Sequence, residues 1–448
     1  MTTSRFYDNQ LNNFNSPIDM PFVINKNAKK ISDKNELINQ LRILNLHGVN
    51  TPLIKNTNQV KKIKFQRIYY LPVFQQRVLG FFKLVSSNKE SWTNTTVLRD
   101  KNKGYLKEVS HLQSKREERR VKKEAVRATY ALNLDYAVVK IGVTIGAKAW
   151  VIYVNPYPKH NSKINALLEK AEEDFIAKWD RVSQNFKKNV VLGADPEFVL
   201  QDKNGNLILA STYLPKRGMV GCDYIWTNRD RTQLPLAELR PAPANDVRKL
   251  VINLYKSMLL GTKKISNREL KWLAGAMPIK GYPLGGHIHF SNLWLNSFLL
   301  RALDNYLTLT ITLLEDKNGI ARRPKYGFLG DYRLKSHNGF EYRTLPSWLV
   351  SPTITKGVLA LAKLIAENYF YLYQNPLKDV NIQIAYYTGN KEVLRPIVKE
   401  LWQELKQLKD FSLYEKYLIP LENLIEKGFT WDETKDIRRL WLLPPFGR

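Results

Sequence analysis

Four short stretches carry acids, imidazoles or guanidinium groups two residues apart. Asp195 and Glu197 flank Pro196 in VVLGADPEFVL, Glu238 and Arg240 lie in AELRP, His287 and His289 in GGHIHFS, and Glu341 and Arg343 in FEYRTLPS. Residues i and i+2 of an extended strand point to the same face, so each stretch can present both polar groups on one side of a sheet. Four such strands together can build one cup lined by carboxylates, imidazoles and guanidinium groups. We expect that cup to bind metal and nucleotide, because carboxylate oxygens suit hard divalent cations and imidazole is a common metal ligand.

Taken singly, each pair has an ordinary explanation. Asp195 and Glu197 could be a turn acid and a surface ion pair, and Glu238 and Arg240 could pair across a sheet. His287-Ile288-His289 is more specific, since two glycines before it let backbone or ligand come close. The recurrence is what decides: this many ionisable groups on one inner face costs several kcal/mol of desolvation unless a ligand compensates.

The elements that must position these residues follow from pattern. Residues 1–64 form a polar, basic N-terminal region with one amphipathic helix from Ser32 to about Asn45, striped by Leu37, Ile38, Leu41 and Leu44. Lys61 to Lys64 is a solvated charge run or a nucleic-acid patch. Residues 65–158 form a small α+β lobe: a hairpin of RIYYLPVF and RVLGFFKLV, a loop through Trp92-Thr93-Asn94, a charged helix from about His111 to Leu132, and the strands YAVVKIGVTI and AKAWVIYVNP. Residues 159–187 hold a connecting helix whose stripe of Leu167, Leu168, Ala171, Phe175 and Trp179 suits packing between units. Residues 188–448 form the domain that carries the four pairs. In it, Asn204-Gly205 turns a hairpin, Asn245-Asp246 caps a helix from about Ala244 to Leu260, Asn292 opens a long helix, Ala321 to Arg333 is a basic, flexible loop, and three or four packed helices follow Ser351.

Composition limits the partners. The chain has 448 residues, 44% hydrophobic and 11% aromatic, so it can bury a large core. One cysteine, Cys222, leaves no internal disulfide and fits a reducing, cytoplasmic setting. The opening MTTSRFYDNQLNNFN lacks the apolar segment of a secretory leader, and no run reaches the roughly 20 apolar residues of a membrane span. A net charge of +29 favours an anionic partner.

Two resemblances sharpen this. The phrases ALNLDYAVVKI and WVIYVNPYP resemble the C-terminal lobe of ATP-grasp ligases, but Lys140 and Tyr153 stand where that family has metal-binding acids, and of the set only Asn155 remains. The resemblance implies a degenerate lobe kept for structure or partner binding. GADPEF, ExRPAP, GGHIHF and the spaced Arg-Arg, YG and EYR set resemble the phage-type carboxylate-amine (COOH-NH2) ligase family over about residues 190–350, with Asp195 where the wider superfamily often has Glu. This implies an α+β, glutamine-synthetase-like antiparallel sheet cup with packed helices, and an ATP-dependent ligase joining a carboxylate and an amine of an amino acid, peptide or protein side chain. The implied roles are Asp195, Glu197, Glu238, His287 and Glu341 as ligands of Mg²⁺ or Mn²⁺, Arg240 and Arg343 on the transferring phosphoryl group or acceptor carboxylate, Arg322 and Arg323 on nucleotide phosphate, and His289 orienting substrate. A metal-dependent phosphodiesterase or nuclease, and a non-catalytic assembly protein, are the competing readings.

Overall fold

Residues 24–25, 27–28, 37–54, 57–86, 104–157, 161–186, 188–225, 233–335 and 339–447 are described by a computed structural model. It is an α+β molecule of two antiparallel sheets and packed helices. The loop at Trp92 and the residue Ser32 lie outside the described residues; the first long helix, α1, is Leu37–Leu46 and buries Leu41 and Leu44 as expected.

The first sheet contains β1 (Arg67–Phe74), β2 (Arg77–Val78), β3 (Phe81–Ser86), β4 (Gly104–Val109), β5 (Tyr136–Val143) and β6 (Ala149–Asn155) in the order β4-β3-β1-β5-β6, with β2 on β1. The sequence reading did not foresee β4. Helix α2 (Lys115–Ala131) starts where the Ser114 hydroxyl accepts from the Glu117 amide, and it buries Val121, Ala125 and Ala128 against one face. Lys140 and Tyr153 are cross-strand partners in β5 and β6. The lysine amine lies 5.3 Å from the centre of the Tyr70 ring.

Helix α3 (Ser162–Gln184), capped by Asn161, joins the two halves. Its buried residues Ile164, Leu168, Phe175 and Trp179 share one core with Phe74, Phe82, Tyr136 and Val138 of the first sheet and with Trp294, Phe298 and Phe370 of the second half. Trp179 is fully buried and meets the Phe370 ring edge-on at 4.7 Å.

The second sheet contains β7 (Val191–Gln201), β8 (Leu207–Ile208), β9 (Val220–Asp223), β10 (Leu236–Leu239), β11 (Lys271–Leu273), β12 (Gly286–Ser291), β13 (Tyr332–Leu334) and β14 (Phe340–Tyr342). Its order is β13-β14-β12-β7-β10-β9, with β8 and β11 also on β7. Alternation divides its faces. Leu192, Ala194, Phe198, Ala237, Ile288, Phe290, Phe340 and Tyr342 belong to the core. There they pack with helices that include α4 (Val247–Lys264), α5 (Ser297–Ala302), α6 (Leu309–Leu314) and α7 (Pro352–Asn368). The intervening residues are the polar pairs.

Two local expectations need correction. The long helix opens at Asn296, whose side chain accepts from the Leu299 amide, and not at Asn292, which has φ of 59°. A π-helical segment, Leu303–Thr308, separates α5 from α6. The stretch Ala321 to Arg333 does not begin as a flexible loop: a 3₁₀ turn, Lys317–Arg322, leads into it, and Arg322 and Arg323 are both buried. Beyond Ser351 the remaining helices after α7 are α8 (Val380–Thr388), α9 (Lys391–Gln407), α10 (Phe411–Glu426) and the short α11 (Ile437–Leu440).

Candidate active site

The four stretches fall on four consecutive strands, β14-β12-β7-β10. Register sets their neighbours: Asp195 is opposite His287, Glu197 opposite Glu238, and His289 opposite Glu341. Opposed side chains on one face stand about 5 Å apart at Cβ, close enough for their polar ends to meet. His287 Nδ1 lies 3.3 Å from Asp195 Oδ1 and 3.3 Å from Glu341 Oε1, and His289 Nε2 lies 3.0 Å from Asp195 Oδ2. Glu238 pairs with Arg240, and Glu341 with Arg343. The Gly285 amide donates to Glu197 Oε2 at 2.6 Å, and the Ser347 hydroxyl donates to the Glu197 carbonyl.

Glycines make room for this. A Cβ on Gly285 would lie 2.3 Å from His287 Nε2, and one on Gly221 would lie 2.1 Å from an Arg240 nitrogen. Both positions let a polar side chain fold down over the backbone.

Electrostatics within the cup are unbalanced. Burial pushes the Glu238 carboxyl up to about 9, reinforced by the charges of Asp195 and Glu197 and only partly opposed by Arg240. Burial also raises Glu197, against the pull of His287. For Asp195 and Glu341 burial acts upward too, but His287, with His289 at Asp195 and Arg343 at Glu341, holds each below its ordinary range.

A divalent cation fits these residues. Asp195 Oδ1, His287 Nδ1, His289 Nε2 and Glu341 Oε2 are buried atoms held in ion pairs with one another and with Lys335, and a buried cluster of this kind is costly to desolvate unless a ligand compensates. Three sets of possible ligand atoms lie within 4.8 Å of one another: Asp195, Glu238 and His287; Asp195, His289 and Glu341; and Glu197, Asp223 and Glu238. Mostly carboxylate sets of this kind suit Mg²⁺ or Mn²⁺. Among the described residues no such set occurs in the first sheet.

The arrangement adds three residues that the sequence reading did not assign. Asp223 ends β9, which pairs with β10 and so joins the Glu197–Glu238 side of the cup. Lys335 Nζ lies 2.6 Å and Arg333 3.6 Å from Glu341 Oε2. The register of β13, with Arg333 opposite Glu341, brings these cations in. No local pattern marks them, although Asp223 follows two glycines in a strand-like stretch.

Two others are engaged elsewhere. Arg322 donates at 2.8 Å to each of the carbonyls of Thr344 and Leu345, while Arg323 donates to the Tyr386 carbonyl and pairs with Glu315. Their terminal donors hold neighbouring chain segments together.

Residues 192–443 match the family described as phage phiEco32-like COOH.NH2 ligase-type 2, and the chain belongs to that family. No curated protein matches the chain. Among solved structures it is similar to a bifunctional glutathione synthetase from Pasteurella multocida, at 9% identity and a TM-score of 0.35, over 57% of this chain and 51% of that one. The chain thus covers about half the length of that enzyme. It is also similar to a structure titled apo GmaS without ligand, at 13% identity and a TM-score of 0.32, over 65% of this chain and 80% of that one. No helix among the described residues is long and apolar enough to cross a membrane.

Proposed function

We propose that the protein is an ATP- and divalent-metal-dependent ligase that joins a carboxylate to an amine through an acyl-phosphate. The observation that carries this reading is the convergence of buried candidate ligand atoms and cations on one sheet face, within a chain that belongs to a carboxylate-amine ligase family. The division of the chain after residues 64, 158 and 187 is consistent with two sheets and the helix α3 between them.

In the proposed reaction a substrate carboxylate oxygen attacks the γ-phosphorus of ATP and ADP departs. An amine then attacks the acyl carbon, phosphate leaves, and the nitrogen gives up a proton. Asp195, Glu197, Glu238, His287 and Glu341, joined by Asp223, would hold Mg²⁺ or Mn²⁺, which supplies charge neutralisation at the phosphate oxygens. Arg240 and Arg343 are fixed by their carboxylate partners at the cup and can stabilise charge on the transferring group or hold the acceptor carboxylate. Arg333 and Lys335 take the nucleotide-phosphate role expected of Arg322 and Arg323. His289, partly exposed, orients substrate.

The test is incubation of the purified protein with Mg·ATP and pools of amino acids and peptides. We expect ADP, phosphate and a product lighter than its components by one water, and loss of all three with Glu197→Gln. Full turnover by Glu197→Gln would remove the metal assignment, and nucleic-acid cleavage with Mn²⁺ and no need for ATP would favour the phosphodiesterase reading.

A further inference from the structure

Helix α2 lies outside the family-matched stretch, yet two of its side chains reach into that stretch. Arg127 donates to the Pro324 carbonyl at 3.3 Å and its guanidinium stacks 3.6 Å from the Phe328 ring centre. One turn on, the Tyr130 ring covers Gly330, where a Cβ would come within 2.4 Å of it. The Tyr130 hydroxyl donates to Asp304 Oδ2 at 2.7 Å. Asp304 sits in the π-helical segment, and its other oxygen accepts from the Tyr342 hydroxyl, which also lies 2.6 Å from the Thr308 hydroxyl. Tyr342 is the residue between Glu341 and Arg343, pointing to the opposite face of β14.

We propose that Tyr130 is a positioning residue for the ligase cup, acting through Asp304 and Tyr342 to hold Glu341 and Arg343 in place. The inference rests on the ligase reading for its catalytic consequence, but its geometric core needs only the cup. β14 is three residues long and its outer neighbour β13 is equally short, so the ladder alone fixes this edge weakly. Glu341 is drawn by Arg333, Lys335 and Arg343 on the cup side. On the other side the Tyr342 hydroxyl is the side-chain anchor within β14 itself, while Arg322 and the Phe328 carbonyl hold the segment that follows it.

Asp304 has to remain a good acceptor for that anchor to hold. Burial pushes its carboxyl up to about 7, and the hydrogen bonds from Tyr342 and Tyr130 oppose the rise. Without the Tyr130 hydroxyl, Asp304 loses one of its two tyrosine donors, is more readily protonated, and as an acid would itself become a donor facing the Tyr342 hydroxyl. π-helical segments inside α-helices recur at functional sites, and this one carries both Asp304 and Thr308.

The experiment uses the full chain with Tyr130→Phe, Tyr342→Phe and the double variant. Steady-state kinetics, Mn²⁺ titration by calorimetry and thermal unfolding are read on each. For Tyr130→Phe we expect kcat to fall about tenfold, KM for ATP to change less than about twofold, Mn²⁺ to bind about fivefold more weakly, and Tm to move by only a few degrees. The double variant should lose no more than the worse single variant, because both act through one carboxylate. Additive losses, a rise in KM matching the fall in kcat, or unchanged Mn²⁺ affinity in Tyr130→Phe would overturn the link. A wild type that turns over no ATP, beside a Tyr130→Phe variant with weakened Mn²⁺ binding, would sink the ligase reading and leave the link standing. A wild type that fails to bind Mn²⁺ at millimolar ion would overturn both.

Discussion

At the scale of single residues, the cup depends as much on missing side chains as on present ones. An added methyl at Gly286 would meet the Pro346 carbonyl oxygen at 2.3 Å, a backbone atom that cannot swing away, whereas one at Gly221 would meet chiefly the mobile tip of Arg240. Gly286→Ala should therefore lower stability by about 1–3 kcal/mol, read by urea unfolding. Gly221→Ala should cost less than Gly286→Ala but displace Arg240 from Glu238, seen as a fall in kcat. Equal effects of the two in unfolding would contradict this contrast. Lys335→Gln should raise KM for ATP about tenfold, in line with loss of one charge-assisted contact worth about 1.5–3 kcal/mol; an unchanged KM for ATP with a raised KM for the carboxylate substrate would move Lys335 to the acceptor. The eight paired residues were legible in the sequence because period two is a local property of a strand. Asp223, Arg333 and Lys335 were not, because their places depend on which strands become neighbours.

Elements bring a different kind of dependence. His47, just past α1, is buried between Gln383 and Tyr387 of α8, at 2.9 and 3.0 Å. Burial lowers its pKa to about 3, with the Arg127 charge acting in the same direction and the Gln383 bond opposing. The folded state therefore refuses a proton that the unfolded chain accepts below about pH 6.5. Its stabilising contribution is complete above that pH and is lost as pH falls toward 3, at up to about 1.4 kcal/mol per unit. Urea unfolding between pH 7 and pH 5 should show this slope, and His47→Gln should flatten it; an identical slope in the variant would refute the assignment. Several helices were readable from stripe or cap, as the stripe of α3 and the Asp246 cap of α4 show. The stretch around Arg322 was misread for a physical reason: a basic run looks solvated, and only the distant carbonyls of Thr344, Leu345 and Tyr386 explain why it is buried.

Across the whole molecule, the α+β class and the order of the parts could be read from pattern, while the joining of two cores by one helix could only be guessed from the stripe of α3. Trp179→Ala should cost about 3–5 kcal/mol, and both sheets should lose protection together in hydrogen exchange, since residues of both share its core. The position of β7 in the sheet has a consequence for how the molecule is made. Asp195 meets His287 across nearly a hundred residues of chain, and His289 meets Glu341 across fifty more. Such distant pairings form late and slowly. During synthesis the first sheet and α3 are already available while β7 still lacks its neighbours, and Glu341 cannot join the other acids of the cup until β14 has left the ribosome. A nascent chain stalled before that point would carry β7, β10 and β12 but lack Glu341 and Arg343, and with them one wall of the site.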